Sequence, residues 1–184
     1  MKKSDRFVPK LFLIDANLIN SKNKLEHTNI LEKWHEDGVI DLEISKVAKD
    51  EASFGSTKRR EKAQKYVCLY ACPSTQNEYQ LCKRIENILC PSGAKTSSEK
   101  NDVKIVFTAK KYCRILITND GDSKSQPGGI LGNAVKLKKD LGIQVLRDYE
   151  AVALVEGLIK IRDDRARKIA SRTGKPLPEW VGKD

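Results

Sequence analysis

Two short apolar runs, each followed at once by an acidic or amide residue, most constrain the fold of this chain. LFLI at 11–14 leads into Asp15, and RILIT at 114–118 leads into Asn119 and Asp120. Strands that read as continuous apolar runs are buried on both faces, which is typical of a parallel sheet covered by helices. Two further runs, at 39–44 and 143–146, predict two more strands.

Helical patterns fill the intervals between these strands. The apolar spacing predicts helices over 18–36, 45–52, 102–112, 130–140 and 151–169, with two more in a helical middle segment at 55–100. With 184 residues, this alternation predicts one α/β domain. We expect a three-layer α/β/α sandwich with a central, mostly parallel sheet of about four or five strands. The domain should span 1–161, and 162–184 should form a basic helix end and an extended tail.

The balance of charge favours an anionic partner. Lys and Arg number 35 against 25 Asp and Glu, which gives a net charge of +10. Nucleic acid is the commonest partner for such a domain, although a solvated basic surface is the plain alternative. The candidate phosphate-binding residues come from the two densest basic runs: Lys58, Arg59, Arg60, Lys62, Arg165 and Arg167.

Cysteine usage and the absence of long apolar runs bear on location. No stretch approaches the roughly 20 apolar residues of a membrane span, and no signal peptide is recognisable, so we expect a cytoplasmic protein that does not bind membranes. The five cysteines are an odd number, which favours free thiols in a reducing compartment. Their spacing is a poor match to the paired ligands of a zinc site.

Acidic residues stand where an α/β fold would bring them together. Asp15 and Asp120 end two strands, Glu51 lies in the helix after the second strand, and Asp102 opens the helix before the strand RILIT, with Asp122 as a fifth candidate. Carboxylates gathered at one edge of a sheet repel one another, and a hard divalent cation such as Mg²⁺ or Mn²⁺ removes that penalty. The alternative is a set of ordinary surface acids, in which Asp102 caps its helix.

These residues resemble the motifs of the PIN domain, a family of metal-dependent nucleases. The strand LFLI with Asp15 and Asn17 is similar to the first motif, and Ile44 and Ser45 with Glu51 are similar to the second. Asp102 stands 18 positions before Asp120, which ends the triplet Thr118, Asn119, Asp120, as in the third and fourth motifs. The closing strand GIQVL also fits, so that the resemblance covers about 11–146.

The resemblance implies that 1–161 is a PIN-like nuclease domain that hydrolyses phosphodiesters, with RNA as the expected substrate by family habit. It implies that Asp15, Glu51, Asp102 and Asp120 are catalytic and hold Mg²⁺ or Mn²⁺, with Asp122 completing the set. Asn17, Thr118 and Asn119 would line the site, and capping or turn formation is the alternative role for each.

Several alternatives stay open at the level of function. The chain could be the toxin of a toxin–antitoxin pair, with an antitoxin or another protein as partner, or it could act as a homodimer. It could also be a non-catalytic nucleic-acid-binding protein on the same fold. The four acids argue against the last alternative, because a scaffold has no need of converging carboxylates.

Overall fold

The computed structural model describes residues 6–19, 25–54, 56–121 and 128–184, and these contain a five-stranded sheet. Its strands are β1 (Leu11–Ile14), β2 (Asp41–Ser45), β3 (Val67–Leu69), β4 (Ile115–Ile117) and β5 (Val145–Leu146). The strand order is β3-β2-β1-β4-β5, and every neighbouring pair is parallel. The expected α/β fold with a parallel sheet of four or five strands is therefore confirmed.

Helices connect the strands and cover the sheet on both faces. They are a 3₁₀ turn (Ala16–Leu18), α1 (Glu26–Glu36), α2 (Lys46–Ser53), α3 (Thr57–Gln64), α4 (Gln76–Leu89), α5 (Ser97–Lys111), α6 (Gly129–Gly132), α7 (Ala134–Leu141) and α8 (Asp148–Thr173). α1 packs against α8, whereas α4 packs against α5 and α7. From β1 the chain adds β2 and β3 on one side and later β4 and β5 on the other. Right-handed crossovers that lead in opposite directions place their helices on opposite faces of a sheet. The group of α1 and α8 and the group of α4, α5 and α7 therefore form the two outer layers.

The two central strands account for the apolar runs of the sequence. In β1, Phe12, Leu13 and Ile14 are fully buried, and in β4 so are Leu116 and Ile117. Phe12 lies opposite Leu42 in β2 and opposite Ile115 in β4, so β1 pairs with a strand along each edge. Its side chains point to the two faces of the sheet, which the helices cover. Burial of such side chains stabilises the fold by roughly 1.5–3 kcal/mol each.

The strand order places a crevice between β1 and β4. The chain leaves β1 towards β2 and later returns to add β4 on the other side of β1. Connections that diverge in this way open a crevice outside the carboxyl ends of the two strands, where ligands bind in open α/β sheets. Asp15 follows β1 directly, and Thr118 follows β4 directly.

Three helix predictions need correction. The helix expected over 18–36 begins only at Glu26, because Asp15 caps a separate 3₁₀ turn and Leu25, which precedes α1, is extended; residues 20–24 lie outside the described residues. The helix expected over 130–140 is two helices that meet at Asn133. The helix expected to open at Asp102 begins at Ser97, where Thr96 and Glu99 form a capping box. Asp102 is therefore not a helix cap.

The middle segment contains one strand besides its helices. β3 comprises only three residues at the edge of the sheet, and Val67 is exposed. It lies within a continuous apolar run, YVCLYAC at 66–72, which the sequence prediction assigned to the helical middle segment. The strand pairs with β2 through Glu43 opposite Val67 and Ser45 opposite Leu69. An edge strand of this length depends on its neighbour more than on its own side chains.

The C-terminal segment folds back on α8. This helix runs without a break through the predicted boundary at 161–162, and ends where Gly174 adopts a left-handed conformation (φ 66°). The ring of Trp180 then packs 4.5 Å from the guanidinium of Arg162, and the Gly182 amide donates to the Asp163 carboxylate at 2.7 Å. The tail is therefore docked on the helix rather than extended.

Two further observations concern the whole described chain. All five cysteines carry free thiols. Within 6–19, 25–54, 56–121 and 128–184, no helix has both the length and the apolar character needed to cross a membrane.

Candidate functional site

Asp15 forms the floor of the crevice and is only 4% exposed. Its Oδ1 accepts a hydrogen bond from the Ala16 amide at 2.6 Å. Its Oδ2 accepts from the Thr118 hydroxyl at 2.6 Å and from the Asn17 side-chain amide at 3.0 Å. The pKa of Asp15 is raised to about 6, chiefly by burial and also by the charges of Glu51 and Asp120, while the hydrogen bonds from Thr118 and Ala16 act in the opposite direction.

Asn17 and Thr118 tie the ends of β1 and β4 together. The Asn17 side chain donates to the Thr118 hydroxyl at 3.0 Å, and its Oδ1 accepts from the Asn119 amide at 3.3 Å. The Thr118 oxygen also accepts from the Asp120 amide at 3.0 Å. All three predicted lining residues are therefore in one hydrogen-bond network with Asp15, and this network holds the acids of two strands in register.

Asp102 enters the site from the second turn of α5. Within the described ranges its carboxyl makes no hydrogen bond or ion pair. Its pKa is raised to about 7, chiefly by burial and then by repulsion from Asp120, Asp15 and Glu51. The carboxyl of Asp102 thus lies in the combined field of the other three acids.

Glu51 is held in the site by a residue that the sequence reasoning missed. The side-chain amide of Asn101, in α5, donates to Glu51 Oε1 at 2.6 Å. Asn101 precedes Asp102, so the same turn of α5 supplies one acid and fixes another. The only sequence signal for this role is adjacency to Asp102, which does not distinguish Asn101 from an ordinary polar helix residue.

Asp120 is anchored by the chain that returns after β4. Its Oδ2 accepts from the Ile130 amide at 2.8 Å, and its carbonyl accepts from the Leu131 amide at 3.1 Å. Gly129 has a φ of 59°, and a Cβ at this position would collide with the Asp120 carboxylate. Gly129 therefore permits close packing around Asp120, whereas a Cβ at Gly128 would meet open space. Asp122 lies outside the described residues.

The four described acids fit a hydrated divalent cation better than a fully dehydrated one. In the ranges that the structure describes, no three carboxylate, imidazole or thiol groups are arranged to hold a metal ion directly. Asp15 already uses three of its roughly four acceptor positions, whereas Asp102 uses none. Mg²⁺ commonly keeps several waters and binds through one or two carboxylates, so this all-oxygen donor set is chemically suitable for Mg²⁺ or Mn²⁺.

The candidate phosphate-binding residues of α3 differ in what they contact. Arg59 donates to the Ala16 carbonyl at 2.5 Å and to the Ile19 carbonyl at 3.1 Å, which ties α3 to the turn after Asp15. Lys62 forms an ion pair with Glu32 at 2.6 Å. Arg60 donates twice to the Ser53 carbonyl, and Lys58 is exposed. Lys58 and Arg60 therefore present more of their charge to solvent than Arg59 and Lys62 do.

The second basic run lies on the exposed end of α8. Arg165 is exposed, and Arg167 forms an exposed pair with Asp164 at 3.1 Å. After Asp163, no residue of α8 is buried. This part of the helix is a cationic surface formed by a single element, and it is separate in the chain from the acids.

Comparisons with known proteins leave the family undetermined. No family model and no curated protein matches the sequence. Among solved structures, a chain in the crystal structure of VapBC2 from Rickettsia felis bound to a DNA fragment from their promoter is similar, with 13% sequence identity and a TM-score of 0.46. The match covers 74% of this chain and 98% of that chain. At this level of similarity it supports no argument about activity, and membership of the PIN family remains a prediction from the sequence motifs.

Proposed function

We propose that the chain is a divalent-metal-dependent nuclease of the PIN type that hydrolyses phosphodiester bonds, with RNA as the expected substrate. The observation that carries this proposal is electrostatic. Four separate segments supply the acids Asp15, Glu51, Asp102 and Asp120. The charges of the other three all raise the pKa of Asp102, which reaches about 7. A fold that gathers four repelling carboxylates in a crevice gains nothing in stability, so a bound cation is the simplest reason for the arrangement.

The protein's own residues would then divide the work by position. Asp15, Asp102 and Asp120 would hold Mg²⁺ or Mn²⁺, with Glu51 and Asp122 completing the set. Such an ion, when bound, activates water and offsets the negative charge that develops on the phosphate. Thr118 and Asn17 keep Asp15 in place, and Asn101 holds Glu51 towards the site.

Basic residues would position the nucleic-acid backbone without reading its sequence. We propose Lys58 and Arg60 as the principal phosphate contacts of α3, and Arg165 and Arg167 as contacts on α8. Arg59 and Lys62 should contribute less, because their charges already serve contacts within the fold. Replacing Lys58 and Arg60 together by Gln should weaken binding across sequences and reduce the slope of log affinity against log salt by about 2.

The decisive experiment is a cleavage assay on labelled RNA and single-stranded DNA with Mg²⁺, with Mn²⁺ and with EDTA. We expect cleavage that requires a divalent ion and that is lost in Asp120→Asn and Asp102→Asn. The matched control is Asp140→Asn, an exposed acid at the end of α7 away from the proposed phosphate contacts, which should keep full activity. Binding of nucleic acid without cleavage under any of these conditions would favour the non-catalytic alternative.

The role of Asn101 can be tested separately from the ligands. Asn101→Ala should weaken the binding of Mn²⁺, measured by calorimetry, because Glu51 loses the contact that orients it. Asn101→Gln should restore part of the affinity. The toxin alternative makes its own prediction: expression should arrest growth unless the product of an adjacent gene is supplied.

A further inference from the structure

Phe54, at the end of α2, is the most exposed of the large apolar side chains that the structure describes. It is 91% exposed, compared with 67% for Tyr70 and 61% for Val67. A single exposed apolar residue is common on protein surfaces. This one stands beside the acids, however, and its surroundings identify a use for it.

The backbone under Phe54 is fixed. The residue keeps helical geometry (φ −77°, ψ −6°) as the C-cap of α2, and its amide donates to the Glu51 carbonyl at 3.3 Å. The preceding carbonyl, that of Ser53, accepts two hydrogen bonds from Arg60, at 3.2 and 3.0 Å. The aromatic ring therefore projects into solvent from an anchored position.

Its position relative to the acids follows from helix geometry. Phe54 lies three residues after Glu51, and side chains at this spacing are neighbours on one helix face, with Cβ atoms about 5–6 Å apart. Glu51 in turn acts on the pKa of both Asp15 and Asp102. The exposed ring is thus one helical turn from the crevice.

The charges around the ring favour a nucleic acid over a protein surface as the molecule that covers it. Arg60 donates to the carbonyl that precedes Phe54, and Lys58 is exposed in the first turn of α3. Asp50, one turn before Phe54, is an acid, but it forms an ion pair with Lys46. An aromatic ring near exposed cations matches a nucleobase attached to a phosphate backbone, as in sequence-tolerant single-strand binding.

We propose that Phe54 stacks on an unpaired base of a single-stranded nucleic acid that passes along the rim of the acidic crevice. This inference rests on the proposed nuclease function and specifies its substrate class. Bases inside a duplex are stacked on each other and cannot offer a face to Phe54, so the site should prefer single strands or loops to paired helices.

The test measures binding in EDTA, where cleavage cannot occur. The probes are a labelled single strand of about 12 nucleotides and the blunt duplex of the same sequence, followed by fluorescence anisotropy. Phe54→Ala should weaken binding of the single strand about tenfold and change binding of the duplex by less than about twofold. Phe54→Trp should retain the affinity, whereas Phe54→Leu should not, because stacking requires an aromatic ring. In a strand that carries 2-aminopurine, fluorescence should be quenched by the native protein and not by Phe54→Ala.

Tyr79 provides a matched control because it is also an exposed aromatic residue, 57% exposed, on α4. Its neighbour Glu78 pairs with Lys111, about 14 Å along α5 from Asp102. Tyr79→Ala should leave both affinities unchanged.

Unchanged single-strand binding in Phe54→Ala would overturn the inference and would assign the ring to a protein partner. Equal loss for single strand and duplex, or full affinity in Phe54→Leu, would overturn it as well. A different result would overturn the nuclease proposal alone. In that case the native protein would show Phe54-dependent binding in EDTA but no cleavage with Mg²⁺ or Mn²⁺.

Discussion

Removing the charge of Asp102 should stabilise the metal-free protein at neutral pH. In the folded state the pKa of Asp102 rises from an ordinary value of 3.8 to about 7, chiefly through burial and then through repulsion by Asp120, Asp15 and Glu51. At about 1.36 kcal/mol for each unit of pKa, the upper limit of the penalty for ionisation is about 4 kcal/mol. Asp102 is only partly buried, and solvent screens part of this energy, so we expect about 2 kcal/mol.

The sign of the pH dependence follows from the direction of the shift. At low pH the carboxyl is protonated in both the folded and the unfolded state, and no penalty exists. As pH rises from about 4 to about 7, the unfolded state releases its proton before the folded state does, and the native protein loses stability relative to Asp102→Asn. The substitution removes no hydrogen bond, because none to Asp102 is formed within the described residues.

The measurement is thermal unfolding in EDTA at about pH 3, below the unfolded-state pKa of Asp102, and at about pH 8. Asp102→Asn should match the native protein at the lower pH and exceed its Tm by about 4–8 °C at the higher pH. Asp164→Asn, which removes an exposed acid of α8, should shift the Tm little at either pH. An advantage of Asp102→Asn that is the same at both pH values, or a loss of stability near pH 8, would refute the electrostatic reasoning. Saturating Mg²⁺ should stabilise the native protein more than the variant.

Two other substitutions test the packing around the site. Glu43→Gln breaks an ion pair in which the side chain of Glu43 is 12% exposed and that of Arg114 is 16% exposed. The substitution should lower the free energy of unfolding, measured in urea, by about 3 kcal/mol. Gly129→Ala should both destabilise the protein, by about 1–2 kcal/mol or more, and reduce cleavage, because φ is 59° and the new Cβ collides with the Asp120 carboxylate. Gly157→Ala, in the interior of α8 with open space around it, should instead stabilise the protein by roughly 0.5–1 kcal/mol. An equal loss of stability in Gly129→Ala and Gly157→Ala would contradict the role assigned to Gly129.

The sequence predicts the centre of this fold better than its edges. β1 and β4 are buried on both faces, so burial alone selects their apolar runs and the alternation of strands with helices. β3 was missed because its apolar run, YVCLYAC at 66–72, stands between two helical patterns, and a short apolar run alone does not distinguish a strand from a buried helix. The start of α5 was misplaced since Thr96 and Glu99 stand inside a polar stretch that also has the composition of a loop.

The site shows a similar division. The acids at strand ends were placed in the crevice by the geometry of parallel sheets alone, and the structure has Asp15 and Asp120 there. Asn101 could not be predicted, because its contact with Glu51 joins two helices whose relative position depends on the whole fold. The raised pKa of Asp102 was predictable in direction only, since the burial of its carboxyl is the largest cause of the shift and depends on the whole fold.

The strand order also determines when, during synthesis, the site can exist. β1 emerges first, yet its partner β4 follows about a hundred residues later, and the hydrogen bond between Asp15 and Thr118 joins positions 103 apart. At about 5–20 residues per second, the ribosome needs several seconds to supply β4 after β1. The acids therefore assemble only after synthesis has passed β4. While only the first two strands have emerged from the ribosome, the crevice does not exist, and the topology itself delays the formation of the site.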